Sequence, residues 1–416
     1  MSQTDAPAIL SPWRRPEFVK LLAISITVAL GFGMVVPVLP LFARSFGVAL
    51  GTLGLVNVVF GGTRFAFGIV GGLVVDRFGE RACTIAGLLI VSLSSYAAGL
   101  AGSFPQLVLA RGFGGAGSAL FINGLMSRIL RIIEPEAMGR ATGAFRSSFL
   151  VGIGAGPIFG GVIADRFGLA APFHFYATGL LVSAAIAWFV MAGQEGIGTG
   201  ERKSPLAALR EAGPLLRDYR YVIALLATFV GWWTISGPAQ VVGPIFAEDV
   251  LGLSSGQIGL AVTMLSVGEI LILLVAGKAA DMFGRRAVLV PSLAVAAVAT
   301  AMLGRIEAAP WAYFPLMIAI GAAIAAGGTA SGGLLADSIP RSGSGAAVGV
   351  NQMAGDLGYL TSPSAIGAMA DATSFRSAYL VAALPAAAVF LAALRLPKGI
   401  TKKPEQPPPE PQQPVG

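Results

Sequence analysis

Five charged side chains interrupt long apolar stretches of this sequence: Arg64, Arg111, Arg146, Glu269 and Asp356. Charged groups inside a hydrocarbon layer are costly, so those that occur there are functional candidates by default. Burial raises the pKa of a carboxylic acid and a neighbouring cation lowers it, so an acid that pairs with arginine only when deprotonated can take up and release a proton. These residue types predict proton transfer, with Asp356 as the first candidate carrier and Glu269 as the second. A static salt bridge is the alternative.

The chain that holds these charges has the composition of a membrane protein. Of its 416 residues, 55% are hydrophobic and only 12% are charged, and the mean hydropathy is +0.78. Apolar runs of about 20 residues, enough to cross about 30 Å of hydrocarbon as a helix, recur along the sequence. They predict twelve spans, at 19–43, 53–75, 82–103, 105–128, 141–164, 172–193, 221–245, 256–279, 287–305, 311–336, 344–369 and 376–396.

The distribution of basic residues predicts the orientation of these spans. Most of the 28 lysines and arginines fall on the side that carries the N-terminus, and only Arg44, Arg166, Arg305 and Arg376 fall on the other. Such a bias marks the cytoplasmic face, so both termini are predicted to lie in the cytoplasm and the protein in the cell membrane, as in a bacterium. This accounts for the net charge of +7 without a nucleic-acid partner.

Internal repetition divides the spans into two sets of six. The segment 72–81 returns as 277–286, an offset of 205 residues (277 − 72). A second match, at an offset of 206, relates Gly143, Gly152, Pro157, Gly161, Ala164 and Asp165 to Gly349, Gly358, Pro363, Gly367, Ala370 and Asp371. We therefore predict an all-α membrane protein with two pseudo-symmetric six-helix bundles, 19–193 and 221–396, and a solute path between them. A cytoplasmic linker, 194–220, joins the bundles, a cytoplasmic segment, 1–18, precedes them, and a disordered Pro-rich tail, 397–416, follows.

Four motifs carry a resemblance to a known family. The loop after span 2 follows the pattern G-x-x-x-D-R-x-G-R-R through Gly72, Asp76, Arg77, Gly79 and Arg81, and departs from it at Glu80, where a base is usual. Span 5 follows G-x8-G-x3-G-P-x2-G-G through Gly143, Gly152, Gly156, Pro157, Gly160 and Gly161. Span 4 carries R-x-x-x-G-x-G-x-A at Arg111, Gly115, Gly117 and Ala119, and span 1 carries Leu30, Gly31, Pro37, Val38 and Pro40. The sequence resembles the major facilitator superfamily, and within it the twelve-span drug:proton antiporters.

The resemblance implies roles for these residues. The span 5 motif implies export, and the span 4 motif is associated with proton coupling. The loop after span 2 and its copy are expected to form a cytoplasmic gate, where simple positive-inside anchoring is the alternative; the copy contributes Asp281, Gly284, Arg285 and Arg286. In the family fold, span 2 faces span 11 and span 5 faces span 8, so Arg64 is expected to pair with Asp356 and Arg146 with Glu269. Span 1 lacks the acid that several drug antiporters carry there.

The predicted function is secondary active transport, as proton-coupled efflux of amphipathic or cationic small organic molecules such as drugs. The alternatives are proton-coupled uptake and a dedicated metabolite exporter or facilitator on the same fold. The predicted cavity is large and mostly apolar, and its candidate residues are Phe32, Asn57, Asn123, Phe149, Trp232, Gln240, Asn351 and Tyr359. The expected partners are the bilayer, the solute and the proton, with the proton gradient as energy source, no cofactor or metal, and a monomeric state. A single histidine leaves little from which to build an enzyme site.

Overall fold

The computed structural model of the chain describes residues 12–134, 137–191, 213–338 and 344–397. Most of the predicted linker and the Pro-rich tail, with nearly all of the N-terminal segment, lie outside the described residues. Within those residues the regular structure is entirely helical. This is the expected outcome for membrane spans, because a helix satisfies its backbone hydrogen bonds without water.

Fourteen α-helices run through the described part of the chain. They are α1 (Pro16–Val35), α2 (Val38–Arg44), α3 (Leu50–Phe78), α4 (Glu80–Gly99), α5 (Phe104–Ile132), α6 (Met138–Phe167), α7 (Ala171–Val190), α8 (Tyr219–Thr234), α9 (Val242–Asp249), α10 (Ser255–Phe283), α11 (Arg285–Leu303), α12 (Tyr313–Ser338), α13 (Ser344–Ala372) and α14 (Phe375–Ala393).

Two predicted spans are not continuous α-helices. Span 1 breaks between α1 and α2 at Pro37, and span 7 passes through a π-helical segment, Ile235–Val241, that contains Pro238 and joins α8 to α9. Proline lacks an amide hydrogen and clashes with the preceding turn, so both interruptions have a local cause. Each break places backbone and side chains beside the same cavity, described below.

Ten helical segments of the described residues are long and apolar enough to cross a membrane, when α1 with α2 and α8 with α9 are each taken as one segment. The sequence predicts twelve, and the two long helices outside the ten are α5 and α13. Both are rich in glycine, and they carry Arg111 and Asp356 respectively. A charged, glycine-rich helix has low hydropathy, so the count of twelve stays a prediction for these two.

The sequence repeat is reproduced in the helix packing. Gly152 of α6 lies against α1, and its repeat partner Gly358 of α13 lies against α8. Gly161 of α6 lies against the start of α10, and its partner Gly367 of α13 lies against the start of α3. The implied contacts of span 5 with span 8 and of span 2 with span 11 are therefore confirmed, as α6 on α10 and α3 on α13.

Candidate functional site

A central cavity of about 40 Å³ lies where α1, α2, α3, α5, the π-helical segment and α13 meet. Four of the predicted cavity residues line it, and they are Phe32, Asn57, Gln240 and Tyr359. Arg111 of α5 and Phe60 of α3 complete its polar and aromatic wall.

Arg111 is the one charged residue among those described that line this cavity, and it is deeply buried. Its exposed fraction is 3%, and its Nε and Nη1 atoms are buried without a hydrogen-bond partner. The guanidinium carbon lies 4.7 Å from the centroid of the Phe60 ring, a cation–π contact. The hydroxyls of Tyr176 and Tyr359 lie within electrostatic range of Arg111. The described residues provide no carboxylate within ion-pair distance of it.

The glycines of the span 4 motif explain how Arg111 is held at this depth. A Cβ on Gly115 would lie 2.2 Å from the carbonyl oxygen of Phe60, so α5 and α3 are in backbone contact one turn from Arg111. A Cβ on Gly117 would lie 2.9 Å from the Gly87 carbonyl oxygen, so α5 also lies close against α4. Thr63 of α3 also donates a hydrogen bond to the Gly112 carbonyl at 2.7 Å. The motif therefore fixes α5 between two neighbouring helices.

A second, larger cavity of about 330 Å³ lies among α8, the π-helical segment, α10, α11, α12 and α13. Trp232 and Asn351, both predicted cavity residues, line it together with Glu269. Glu269 is half-buried and has neither an ion pair nor a hydrogen bond among the described residues. The Trp232 ring contacts Tyr359 edge-to-face at a centroid distance of 5.8 Å, so the walls of the two cavities meet at this pair.

Two predicted cavity residues lie elsewhere. Asn123 of α5 lines neither of these cavities, and it has an interaction partner. Phe149 of α6 packs on Phe145 at a ring distance of 5.7 Å and joins the apolar core. Residue type alone did not separate these packing positions from the cavity walls.

The predicted ion pairs are not formed in this conformation. Arg64 and Arg146 are exposed, and no carboxylate of the described residues lies within 4.0 Å of either. Asp356 is half-buried and accepts a hydrogen bond at 3.1 Å from Gln352, one turn earlier in α13. Arg64 nevertheless stands one turn from Phe60 of the cavity wall, and its amide nitrogen would lie 3.1 Å from a Cβ on Gly115 of α5.

The glycines of the span 5 motif lie on two faces of α6. Gly152, Gly156 and Gly160 face α1, while Gly161 and the Pro157 carbonyl meet α10. A Cβ on any of these glycines would lie within 2.6 Å of an atom of the facing helix. The prediction that small residues share a face for close helix approach is confirmed, except at Gly143, where a Cβ would meet nothing within 4 Å.

The two predicted gate loops have matching backbone geometry. Gly79 has a φ of 83° and Gly284 a φ of 89°, so the predicted tight turn at Gly79 is confirmed and recurs in its copy. Arg81 donates a hydrogen bond to the Trp188 carbonyl at 2.9 Å, and Arg286 donates one to the Leu396 carbonyl at 2.8 Å. Arg81 thus binds the last turn of α7, and Arg286 binds the segment that directly follows α14, each in its own half of the chain.

The remaining gate residues differ in their contacts. Arg285 pairs with Asp281 at 2.6 Å and with Asp337 at 3.5 Å. Arg77 is exposed and stacks on Phe78. The side chain of Asp76 and the surroundings of Gly72 lie outside the part that the structure describes.

Glu80, the departure from the gate motif, is buried in a charge network. Its carboxylate lies 2.7 Å from Arg131 and 3.7 Å from Arg128, and Arg128 also pairs with Glu17 at 2.5 Å. The network joins α1, α4 and α5, which explains why an acid stands where the family has a base.

Glu80→Arg, which restores the family's base, is therefore expected to destabilise the protein. It removes a buried partner and adds a third cation beside two arginines, at a cost of about 3 kcal/mol or more. We expect the Tm of the detergent-solubilised protein to fall by about 5 °C or more. Glu307→Arg, the same change at an exposed acid, is the control. An equal Tm for the two variants would contradict a structural role for this network.

The opposite end of the helices carries two contacts that the sequence analysis did not predict. Asp165, at the end of α6, accepts hydrogen bonds from the Gly256 amide at 2.9 Å and the Ser254 hydroxyl at 3.0 Å, at the start of α10. Asp371, at the end of α13, accepts one from the Gly51 amide at 2.9 Å, at the start of α3. We call these the two aspartate latches. The internal repeat matches Asp165 with Asp371, and this match is the feature of the sequence that could have indicated the two contacts.

Comparison with known proteins places the chain in one family. The family model described as Major Facilitator Superfamily matches residues 21–254 and 235–416. Multidrug resistance protein 2 of Bacillus subtilis (strain 168) is 26% identical over 302 residues, which cover 69% of this chain and 73% of that protein. Multidrug resistance protein MdtG of Citrobacter koseri is 26% identical over 397 residues, which cover 92% of this chain and 94% of that protein.

Solved structures show the same fold at lower identity. A bacterial homolog to the human lysosomal transporter Spinster, in an inward-facing and unoccupied conformation, has a TM-score of 0.73 at 17% identity and covers 92% of this chain and 98% of its own. The nucleoside transporter NupG has a TM-score of 0.73 at 13% identity, with coverages of 91% and 99%. A D-xylose-proton symporter has a TM-score of 0.70 at 16% identity, with coverages of 91% and 98%.

Proposed function

The chain belongs to the Major Facilitator Superfamily and is a multi-pass membrane transporter, and from this premise we propose that it exports amphipathic or cationic small organic molecules in exchange for protons. The relatives named as multidrug resistance proteins support this substrate class. The span 5 motif, with its glycines in contact with α1 and α10, supports the antiporter assignment.

The observation that carries the proposal is the environment of Glu269. It is a half-buried carboxylate without a partner among the described residues, and it lines a cavity of about 330 Å³ beside Trp232. Such a group can hold either a proton or a cationic solute, while the aromatic ring provides a face for a cation or an apolar group. Asp356, half-buried on the neighbouring α13, is the second proton carrier in the proposal.

The proposed transport cycle uses both ends of the helices. We place α5 and α13 in the membrane as well, which makes twelve spans in two bundles with both termini in the cytoplasm. The aspartate latches then lie on the outer face and the gate loops on the inner face. In the conformation described, the latches hold the outer ends together, and alternating access requires them to open when the inner ends close.

Everted membrane vesicles test the direction and the coupling. In such vesicles the lumen corresponds to the cell exterior, so an acidic lumen should drive ethidium inward through an antiporter. We expect Glu269→Gln to lower this accumulation at least tenfold at equal expression, because the principal carrier carboxylate is gone, and Asp356→Asn to lower it as well. Glu307→Gln, at an exposed acid, is the matched control. Full proton-driven accumulation in the Glu269 variant would contradict the proposal, and full accumulation in the Asp356 variant would contradict its role as the second carrier.

Proton-coupled uptake is the second candidate, because the structural neighbours include a D-xylose-proton symporter. It predicts the opposite result in the same vesicles. An acidic lumen would then expel a preloaded solute instead of accumulating it.

A further inference from the structure

Arg111 is a buried cation without a counter-ion. Only 3% of its surface is exposed, yet no carboxylate of the described residues pairs with it. Leaving a guanidinium desolvated and unpaired is among the most costly arrangements in a protein interior. The Phe60 ring compensates only part of this cost. Such an arrangement favours a ligand that places an anionic group beside the guanidinium.

The other polar groups of the central cavity are also without protein partners. The Asn57 amide, the Gln240 amide and the Tyr359 hydroxyl make no hydrogen bond to any described residue. They come from three separate segments, namely α3, the π-helical segment and α13. Polar groups withdrawn from solvent normally find partners within the protein, so the buried guanidinium of Arg111 and three half-buried polar side chains around the same cavity indicate a ligand site.

We propose that Arg111, with Asn57, Gln240 and Tyr359, binds the carboxylate group of an amphipathic solute. A guanidinium presents several donors in a planar fork that matches the two oxygens of a carboxylate, and amide and phenol donors can satisfy the remaining lone pairs. The inference rests on the proposed transport of amphipathic solutes and adds carboxylates, including zwitterions, to the class.

The size of the cavity agrees with binding of a head group alone. A volume of about 40 Å³ suits a carboxylate, whereas drug-sized ligands need about 300 Å³ or more. The cavity of about 330 Å³ has the larger space, and its wall meets the central cavity at the contact of Trp232 with Tyr359. The apolar body of the solute therefore lies on the Trp232 side of Tyr359, and its carboxylate lies beside Arg111.

Three probes that share one apolar body test this site in the purified full chain. They are 1-pyrenebutyrate, its neutral primary amide and 1-pyrenebutylamine, with binding measured by energy transfer from tryptophan to pyrene in detergent. We expect the carboxylate to bind at least tenfold more tightly than the amide, and Arg111→Gln to remove this preference. Arg376→Gln, the same change at an exposed arginine, should leave it intact.

A second variant tests the site independently, in case Arg111→Gln does not fold. Gln240→Leu leaves the Arg111 charge in place but removes one hydrogen-bond donor from the site. We expect it to weaken binding of the carboxylate probe about threefold to tenfold and to leave binding of the amine probe unchanged. Equal affinities for carboxylate and amide in the unaltered protein, or failure of all three probes to bind, would overturn the proposal. So would competition by millimolar chloride as effective as that of acetate, because the site would then hold an inorganic anion.

The vesicle assay separates this inference from the proposed function. Proton-driven ethidium transport without a carboxylate preference would leave the efflux proposal standing and reject the anion site. A carboxylate preference that depends on Arg111, in a protein without proton-driven efflux, would establish the site and reject the efflux.

Discussion

Replacing Gly160 by alanine is expected to destabilise the protein by about 3 kcal/mol or more, the largest effect that we predict for a single methyl group. The added Cβ would lie 2.0 Å from the carbonyl oxygen of Met34 and 2.6 Å from its Cα. These are backbone atoms of α1, so no side chain can rotate away, and α1 and α6 must separate along their contact. Overpacking usually costs about 1–3 kcal/mol, and a backbone clash belongs at the upper end or beyond.

The same helix provides the matched control for this prediction. Gly143→Ala makes the same chemical change in the same motif, but its Cβ would meet nothing within 4 Å. Alanine is the better helix former by about 1 kcal/mol, so this variant should be as stable as the parent or slightly more stable. Unfolding in mixed detergent micelles measures both variants. If they have equal unfolding free energies, the motif does not act through helix contact.

The predictions from sequence were most accurate for features that depend on local sequence pattern. The spacing of Gly152, Gly156 and Gly160 indicates one helix face, because residues four apart in an α-helix lie on the same face. The repeat offset likewise related α6 to α13 and their contacts with other helices, because equivalent sequences pack equivalently. Positive φ at Gly79 follows from a turn too tight for a side chain.

The predictions were weakest where they depended on which distant groups meet. Arg64 and Asp356 lie at matching depths in facing helices, yet depth does not determine which way a side chain points, and the structure leaves them unpaired. The isolation of Arg111 could not be inferred either, since it is a property of every helix around it. The division of the polar residues between two cavities depends on the π-helical segment that carries Gln240. The spacing of apolar residues in the sequence does not indicate the geometry of this segment.

Removing both aspartate latches is expected to shift the protein toward the conformation that is open at their end. Each carboxylate lies at the start of a helix, where amide hydrogens are unpaired and the helix dipole is positive. Because both aspartates are exposed, each contact is worth about 1 kcal/mol, which corresponds to about a fivefold change in population. The latches bind different helix pairs, so their effects should multiply, and Asp165→Ala with Asp371→Ala should give about a 25-fold shift.

Chemical accessibility of the central cavity measures this shift. Cys83 is the only cysteine and is buried, so Cys83→Ser with Asn57→Cys provides a single reporter in the cavity wall. With the latches on the outer face, a membrane-impermeant maleimide added to intact cells should label the reporter about 25-fold faster in the double variant and about fivefold faster in each single one. Glu307→Ala, an exposed acid in the loop that follows α11, controls for the loss of surface charge. Both latches must release for the same movement, so faster labelling in only one of the single variants would mean that the two halves of the repeat do not act together. Unchanged labelling in the double variant would mean that neither aspartate holds this end closed.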